Sequence, residues 1–244
     1  MKAFIFTFLI IFYLLVPAFA IASNGDNMET PQALSQRQQS IIPIAAFTAD
    51  GDISRLIPAL NQGLDDGLTV NEIKEVLVHL YAYTGFPRNL NALSAFMGVL
   101  DERKAKGIED VQGKEASPVP SDLNKDEYGA KVRAMLAGRE TDISGARWQQ
   151  FSPAIDTFLK EHLFADIFVR DVISHQDREL ATIAALANMT GTEGQLHFHL
   201  GAAMNTGLTE AQMKDFISVL RTTVGETQAE SAHEILTEVL NNRK

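Results

Sequence analysis

Gly67-Leu68-Thr69 opens a stretch that recurs without a gap 140 residues later, at Gly207-Leu208-Thr209. Lys74 falls on Lys214, Glu75 on Asp215, Leu77 on Ile217, Leu80 on Leu220, Gly85 on Gly225, Ala92 on Ala232 and Leu100 on Leu240. Upstream, Ser35 to Ala49 parallels Ser174 to Asn188 at a spacing of 139. A chain that repeats on this scale is built from two copies of one unit, which limits its architecture before any residue is read for chemistry. The repeat also shows which chemical groups one copy keeps and the other lacks.

Each copy reads as about four helices. Thr69-Val-Asn-Glu72 and Thr209-Glu-Ala-Gln212 are matched capping boxes, and Gly67 and Gly207 stand where a left-handed residue closes the preceding helix. Ile73, Val76, Leu77, Leu80 and Tyr83 follow helical spacing, as do Met213, Phe216, Ile217, Leu220 and Val224. No stretch alternates with period two, so the expected fold is all-α, two fused repeats related by a pseudo-two-fold axis. Pro43 is expected to kink or restart the first helix. The fourth helices are expected at 88–106 and 227–242.

The boundaries follow from these patterns. Residues 1–22 carry a positive start, an apolar run and small-x-small sites, which predicts a cleaved signal peptide. Residues 23–33 read as a loose segment, 34–106 as the first repeat, and 107–141 as a linker with scattered Gly, Pro and Ser. Residues 142–244 hold an added helical region, around 148–170, and the second repeat. An exported protein, periplasmic or secreted, with no membrane span in its mature form is expected.

Composition excludes more than it identifies. The formal net charge of −10 argues against nucleic acid as a partner, because phosphate binding needs clustered Lys and Arg. Cysteine is absent. There is therefore no thiol nucleophile, thiolate metal site or redox pair. His197 and His199 are two apart, so on a helix they diverge and cannot grip one metal together. No metal and no cofactor are expected.

Four residues stand out as carriers of chemistry. His199 shares the apolar stripe of Leu196, Leu200 and Ala203, where an imidazole must find a partner. It reads either as a core histidine held by a backbone carbonyl or as an acid–base group. His197 falls on the solvated face. Glu179 lies beside the stripe of Leu180, Ile183, Ala184 and Ala187, whereas Asp177 suits compensation of the helix dipole. His79 follows Glu75 by four residues, and a solvated Glu–His pair is the default reading there. Tyr83 follows on the same face.

The run Val76-Leu-Val-His-Leu-Tyr-Ala-Tyr-Thr-Gly-Phe-Pro87, preceded by Gly67-Leu-Thr, resembles the carboxymuconolactone decarboxylase family, which also includes alkylhydroperoxidases. Arg178-Glu179-Leu180 with Ile183-Ala-Ala-Leu186, and His199 before Gly207-Leu-Thr, resemble the same domain again. The peroxidase branch uses a glutamate, a Cys-x-x-Cys pair and a histidine. His199 matches that histidine, Glu179 approximately matches the glutamate, and the cysteine positions fall on Thr192 and Gln195. Thiol peroxidase chemistry is thereby excluded. In the first repeat the same positions read Ser40, Asp52, Arg55 and Ala59.

The resemblance implies a cysteine-independent decarboxylase- or lactonase-type enzyme acting on a small carboxylic acid or lactone. Glu179, His199 and His79 are the candidate catalytic residues, and Arg178, Arg88 and Tyr83 the candidate substrate-binding ones. The competing reading is a non-catalytic helical scaffold or small-ligand binder. A homo-oligomer, a trimer by analogy, is implied as well. One composite site per chain is the sharpest expectation. The second repeat would supply Glu179 and His199, and the first His79, Tyr83 and the Gly85-Phe86-Pro87 turn. Independent drift of the two copies, with His79 on the surface, is the alternative.

Overall fold

A computed structural model of the chain describes residues 33–243. The stretch read as a signal peptide, and all but the last residue of the loose segment after it, lie outside the described residues. The elements are α1 (Gln36–Asp50), α2 (Ile53–Asp65), α3 (Val70–Ala105), α4 (Lys125–Leu136), α5 (Arg147–Phe151), α6 (Pro153–Thr157), a π-helical segment (Phe158–Ile167), α7 (His175–Ala187), α8 (Glu193–Asn205), α9 (Glu210–Thr223) and α10 (Glu226–Asn242). Among the described residues no strand occurs, and no helix is long and apolar enough to cross a membrane.

Two central helices organise the rest. The segment from Ser40 to Ala49 in α1, and that from Asp177 to Leu186 in α7, are buried almost all round, and the two helices pack on each other. A helix apolar on every face belongs inside a bundle. The helix runs on unbroken through Pro43, contrary to the expected kink. A mid-helix proline costs about 3 kcal/mol, but full burial of Ile41, Ile42 and Ile44 returns roughly 1.5–3 kcal/mol each.

The side-chain contacts carry the two-fold relation. Gln38 and Asp177 are repeat counterparts, and Gln38 Nε2 donates to Asp177 Oδ1 at 3.3 Å. A residue meeting its own counterpart marks the axis. Around it, Arg178 of α7 donates to Glu75 of α3 at 2.7 Å, while Gln39 of α1 donates to Asp215 of α9 at 3.2 Å. Gln39 and Asp215 are the counterparts of Arg178 and Glu75. Each repeat's third helix therefore holds the other repeat's first helix through the same pair of positions.

Both capping boxes form as read, at Thr69 with Glu72 and at Thr209 with Gln212. Gly85 takes φ 73° and ψ 163°, outside the helical region, so the chain kinks there between the third and fourth helices of the first repeat, which α3 spans together. In the second repeat α9 and α10 remain separate at Gly225.

The segment read as a linker departs from expectation, because it contains α4. Asn124 caps this helix, Asp126 and Glu127 occupy its first turn, and Val132 and Leu136 are buried. It packs on the π-helical segment and on α8. Gly129 allows that approach, since a Cβ there would lie 2.0 Å from the Lys160 carbonyl oxygen. Glycine, proline and serine on either side obscured a helix whose apolar face is only four residues wide.

Candidate active site

Three helices bring the candidate residues together. Ser174 caps α7 by accepting from Asp177 N at 3.1 Å, and the helix then presents Arg178, Glu179 and Thr182 to the interior. Helix α8 presents His199, and α3 presents His79 and Tyr83 from the other repeat. His199 Nδ1 lies 2.8 Å from Glu179 Oε2. Glu179 is wholly buried and His199 is 6% exposed. The partner of His199 is thus a carboxyl group on another helix, not a backbone carbonyl. Its Nε2 is the nitrogen left for a bound molecule.

His79 sits beneath this pair and not on the surface, at 0% exposure. Its ring centroid is 5.3 Å from that of Tyr83, whose ring is in turn 5.7 Å from His199. The default pairing of His79 with Glu75 does not occur. Glu75 instead receives Arg178 and both Nε and Nη2 of Arg170. His79 Nε2 lies 2.8 Å from Thr182 Oγ1, and that hydroxyl donates its one proton to the Arg178 carbonyl. The hydroxyl oxygen must therefore accept, which assigns the proton of His79 to Nε2.

Burial, followed by the charge of Arg178, holds His79 well below its ordinary pKa. Burial and the nearby Glu179 raise the Tyr83 phenol. His79 Nδ1, the Tyr83 hydroxyl, Glu179 Oε1, and Nε and Nη1 of Arg178 are buried without a hydrogen-bond partner among the described residues.

The neutral state of His79 has a measurable consequence. Its unfolded pKa is about 6.5 and its folded value is lower, so below pH 6.5 the unfolded chain binds the extra proton. The stability is complete above that pH and is lost as pH falls toward the folded value. The slope from this one group is zero well above pH 6.5 and approaches at most about 1.36 kcal/mol per pH unit below it. Urea denaturation across pH 5–7.5 should show a flatter pH dependence for His79→Gln than for the wild type. Part of the slope should persist, because burial also lowers His175.

A cavity of about 520 Å³ opens beside the cluster. His199, Tyr83, Phe198 and Gln195 form one side. Ile143, Trp148, Ile155, Leu159, Leu163 and Phe164 form the other, with Arg133 between them. The π-helical segment supplies Leu159, Leu163 and Phe164 from one face. Sequence reading did not identify this second wall, because the two copies were aligned only from Ser35 and Ser174 onward, which left residues 125–167 outside the comparison. The available signal was Trp148, the single tryptophan, followed by Phe151, Ile155, Phe158 and Leu159.

The two arginines proposed for substrate binding lie elsewhere. Arg88 Nη1 donates to the Ala49 carbonyl at the end of α1, so it caps a helix and does not line the cavity. Arg178 is wholly buried behind the site, held by Glu75 and the Arg170 carbonyl. Tyr83 does line the cavity, through its ring. The Gly85-Phe86 turn lines a neighbouring cleft, with Tyr81, Ile155, Phe158 and His162. His197 is half-buried, and Asp177 is buried against Arg37 at 3.1 Å rather than serving the dipole from the surface.

The first repeat has no matching site. Ser40, the counterpart of Glu179, bonds Asp66, and Ala59 stands where His199 does. Arg55, the counterpart of Gln195, stacks on Phe47 and donates to the carbonyls of Thr223 and Val224. Among the described residues, the glutamate–histidine contact occurs in the second repeat and not at the matching positions of the first.

Matches to the carboxymuconolactone decarboxylase family model cover residues 16–97 and 153–238, together more than half of the chain. The chain belongs to the carboxymuconolactone decarboxylase family. The two matched regions correspond to the two repeats, and the first begins inside the stretch read as a signal peptide. A curated relative, 4-carboxymuconolactone decarboxylase of Acinetobacter baylyi, is 26% identical over 98 residues, which are 40% of this chain and 72% of that protein. Thr192 and Gln195 stand where the resemblance puts the cysteines of the peroxidase branch. Thr192 is tied to the carbonyls of Leu186 and Met189, and Gln195 faces the cavity. The purified protein is therefore expected not to reduce organic peroxides with any thiol donor. Thiol-dependent turnover in metal- and haem-free protein would overturn that expectation.

Proposed function

We propose that this protein is an exported, cysteine-independent acid–base enzyme of decarboxylase or lactonase type, acting on a small carboxylic acid or lactone in the cavity beside His199. The observation that carries the reading is the 2.8 Å contact between Glu179 and His199 at the wall of a largely apolar cavity. The carboxyl group fixes Nδ1, so Nε2 takes or returns a proton, the arrangement required of a general base. In lactone opening, Nε2 would remove a proton from water as its oxygen adds to the ring carbonyl. The ring C–O bond then breaks, and the leaving alkoxide recovers the proton from Nε2–H. In decarboxylation, the C–C bond to the carboxylate breaks as CO2 departs, and Nε2, protonated from solvent beforehand, delivers that proton to the carbanionic carbon.

Export rests on the apolar run and small-x-small sites of residues 1–22. Assembly into a homo-oligomer is supported by the exposed Phe86, Phe151, Ile155 and Phe158, since large apolar side chains in such number commonly meet a partner.

A panel of small lactones and unsaturated lactone carboxylic acids, incubated with wild type and His199→Ala, tests the reading. Turnover by wild type and its loss in the variant are expected, at unchanged circular dichroism. Equal rates for the two proteins, or no turnover of any member, would favour a ligand-binding protein over an enzyme.

A further inference from the structure

We infer that the cavity takes a neutral, largely apolar ligand with one carbonyl-type polar group, and disfavours an anionic carboxylate. This rests on the proposed role of the cavity and narrows it to the lactone class. The argument starts from Arg133, the one Arg or Lys in the lining. Its Nε and Nη2 donate to the two oxygens of Asp142 at 2.7 Å each, Nη1 donates to Asp156 at 2.5 Å, and Nη2 also reaches the Ile143 carbonyl at 3.1 Å. Four of the five N–H donors of the guanidinium are thus committed.

Arg133 is thus neutralised with one carboxylate to spare, and Lys160, whose charge also reaches Asp156, is itself paired with Asp126 and lies outside the lining. Both aspartates are bonded directly to the Arg133 guanidinium. For Asp156, burial works against ionisation, but hydrogen bonds from Gln149 and Arg133 outweigh it and keep its pKa below the usual carboxylate value. Arg178 cannot compensate, being wholly buried, paired with Glu75 and outside the lining. A carboxylate entering this space would give up its hydration without gaining a free cation. The remaining walls are apolar and aromatic, which suits a neutral body. His199 and Gln195 are left to meet its polar end.

Trp148 provides a readout that does not depend on activity, because it is the only tryptophan and lines the cavity. Its emission is followed within seconds of mixing with γ-phenyl-γ-butyrolactone or with 4-hydroxy-4-phenylbutyrate, at pH 8 and in 0.15 M salt to screen the protein's overall charge. The lactone is expected to bind at least tenfold more tightly than the carboxylate. Asp156→Asn, which releases part of Arg133, should raise carboxylate affinity and narrow that ratio several-fold. Should this variant not fold, Asp142→Asn gives the same comparison, and the wild-type ratio decides on its own. Equal or tighter binding of the carboxylate to wild type would overturn the inference, as would failure of both probes to change Trp148 emission at millimolar concentration. Preferential binding of the lactone, hydrolysed no faster by wild type than by His199→Ala, would uphold the inference while removing the catalytic reading.

Discussion

Glu75→Ala is expected to destabilise the protein by about 3–5 kcal/mol, the usual cost of removing one partner from a buried ion pair. Glu75 is 2% exposed and Arg178 is not exposed at all, so the guanidinium left behind has no route to water. Arg178 keeps only the Arg170 carbonyl, and its Nε and Nη1 already lack partners. Arg170 contributes less to the penalty, because its side chain is 36% exposed and can hydrate. At this chain size the loss corresponds to a fall in Tm of roughly 10 °C. Urea or thermal denaturation measures it directly.

The control is the double variant Glu75→Leu with Arg178→Met. It removes both charges and replaces them with apolar volume, so it should recover much of the single variant's loss. A single substitution costing under 1 kcal/mol would mean that water reaches the pair. The same comparison tests the two-fold design, because Glu75 and Arg178 come from different repeats. Their counterparts, Asp215 and Gln39, form a weaker contact between a charge and an amide at the matching place. Asp215→Ala should therefore cost less than Glu75→Ala.

What the sequence revealed, and what it did not, divides along the repeat. Glu179 and His199 were legible as polar residues beside apolar stripes, but their pairing came from the resemblance to the family, since the stripe alone suits a histidine held by a backbone carbonyl equally well. The all-α fold and the cross-repeat pairing followed from the aligned copies. His79 misled because Glu75, four residues before it, offers a ready local partner. That carboxylate is taken by arginines 95 and 103 residues away, and no local pattern records such a contact. The cavity's second wall was hidden for another reason. Residues 125–167 lay outside the aligned part of the two copies, and the Arg133–Asp142–Asp156 cluster joins a helix, a loop and α6 at spacings that match no helical period. The exposed aromatics of that region were readable as apolar spacing, but their position over the site depends on tertiary packing alone.

On the lactone that the panel yields, His199→Ala is expected to lower kcat by about 10²–10⁴-fold, the range for loss of a positioned general base. Glu179→Gln is the sharper experiment. The carboxyl accepts from Nδ1–H, which keeps the proton off Nε2 and leaves that nitrogen basic. An amide of the same shape can donate to Nδ1 instead, which moves the ring proton to Nε2 and removes the base without removing the imidazole. In a buried acid–histidine pair that tautomer error costs up to about 10⁴-fold in kcat. If the two residues act as a unit, the double variant Glu179→Gln with His199→Ala should be no slower than His199→Ala alone. Multiplying losses would instead mean that Glu179 acts on the substrate separately. A Glu179→Gln protein with wild-type kcat would leave the contact as a structural hydrogen bond, and the case for His199 as the base would go with it.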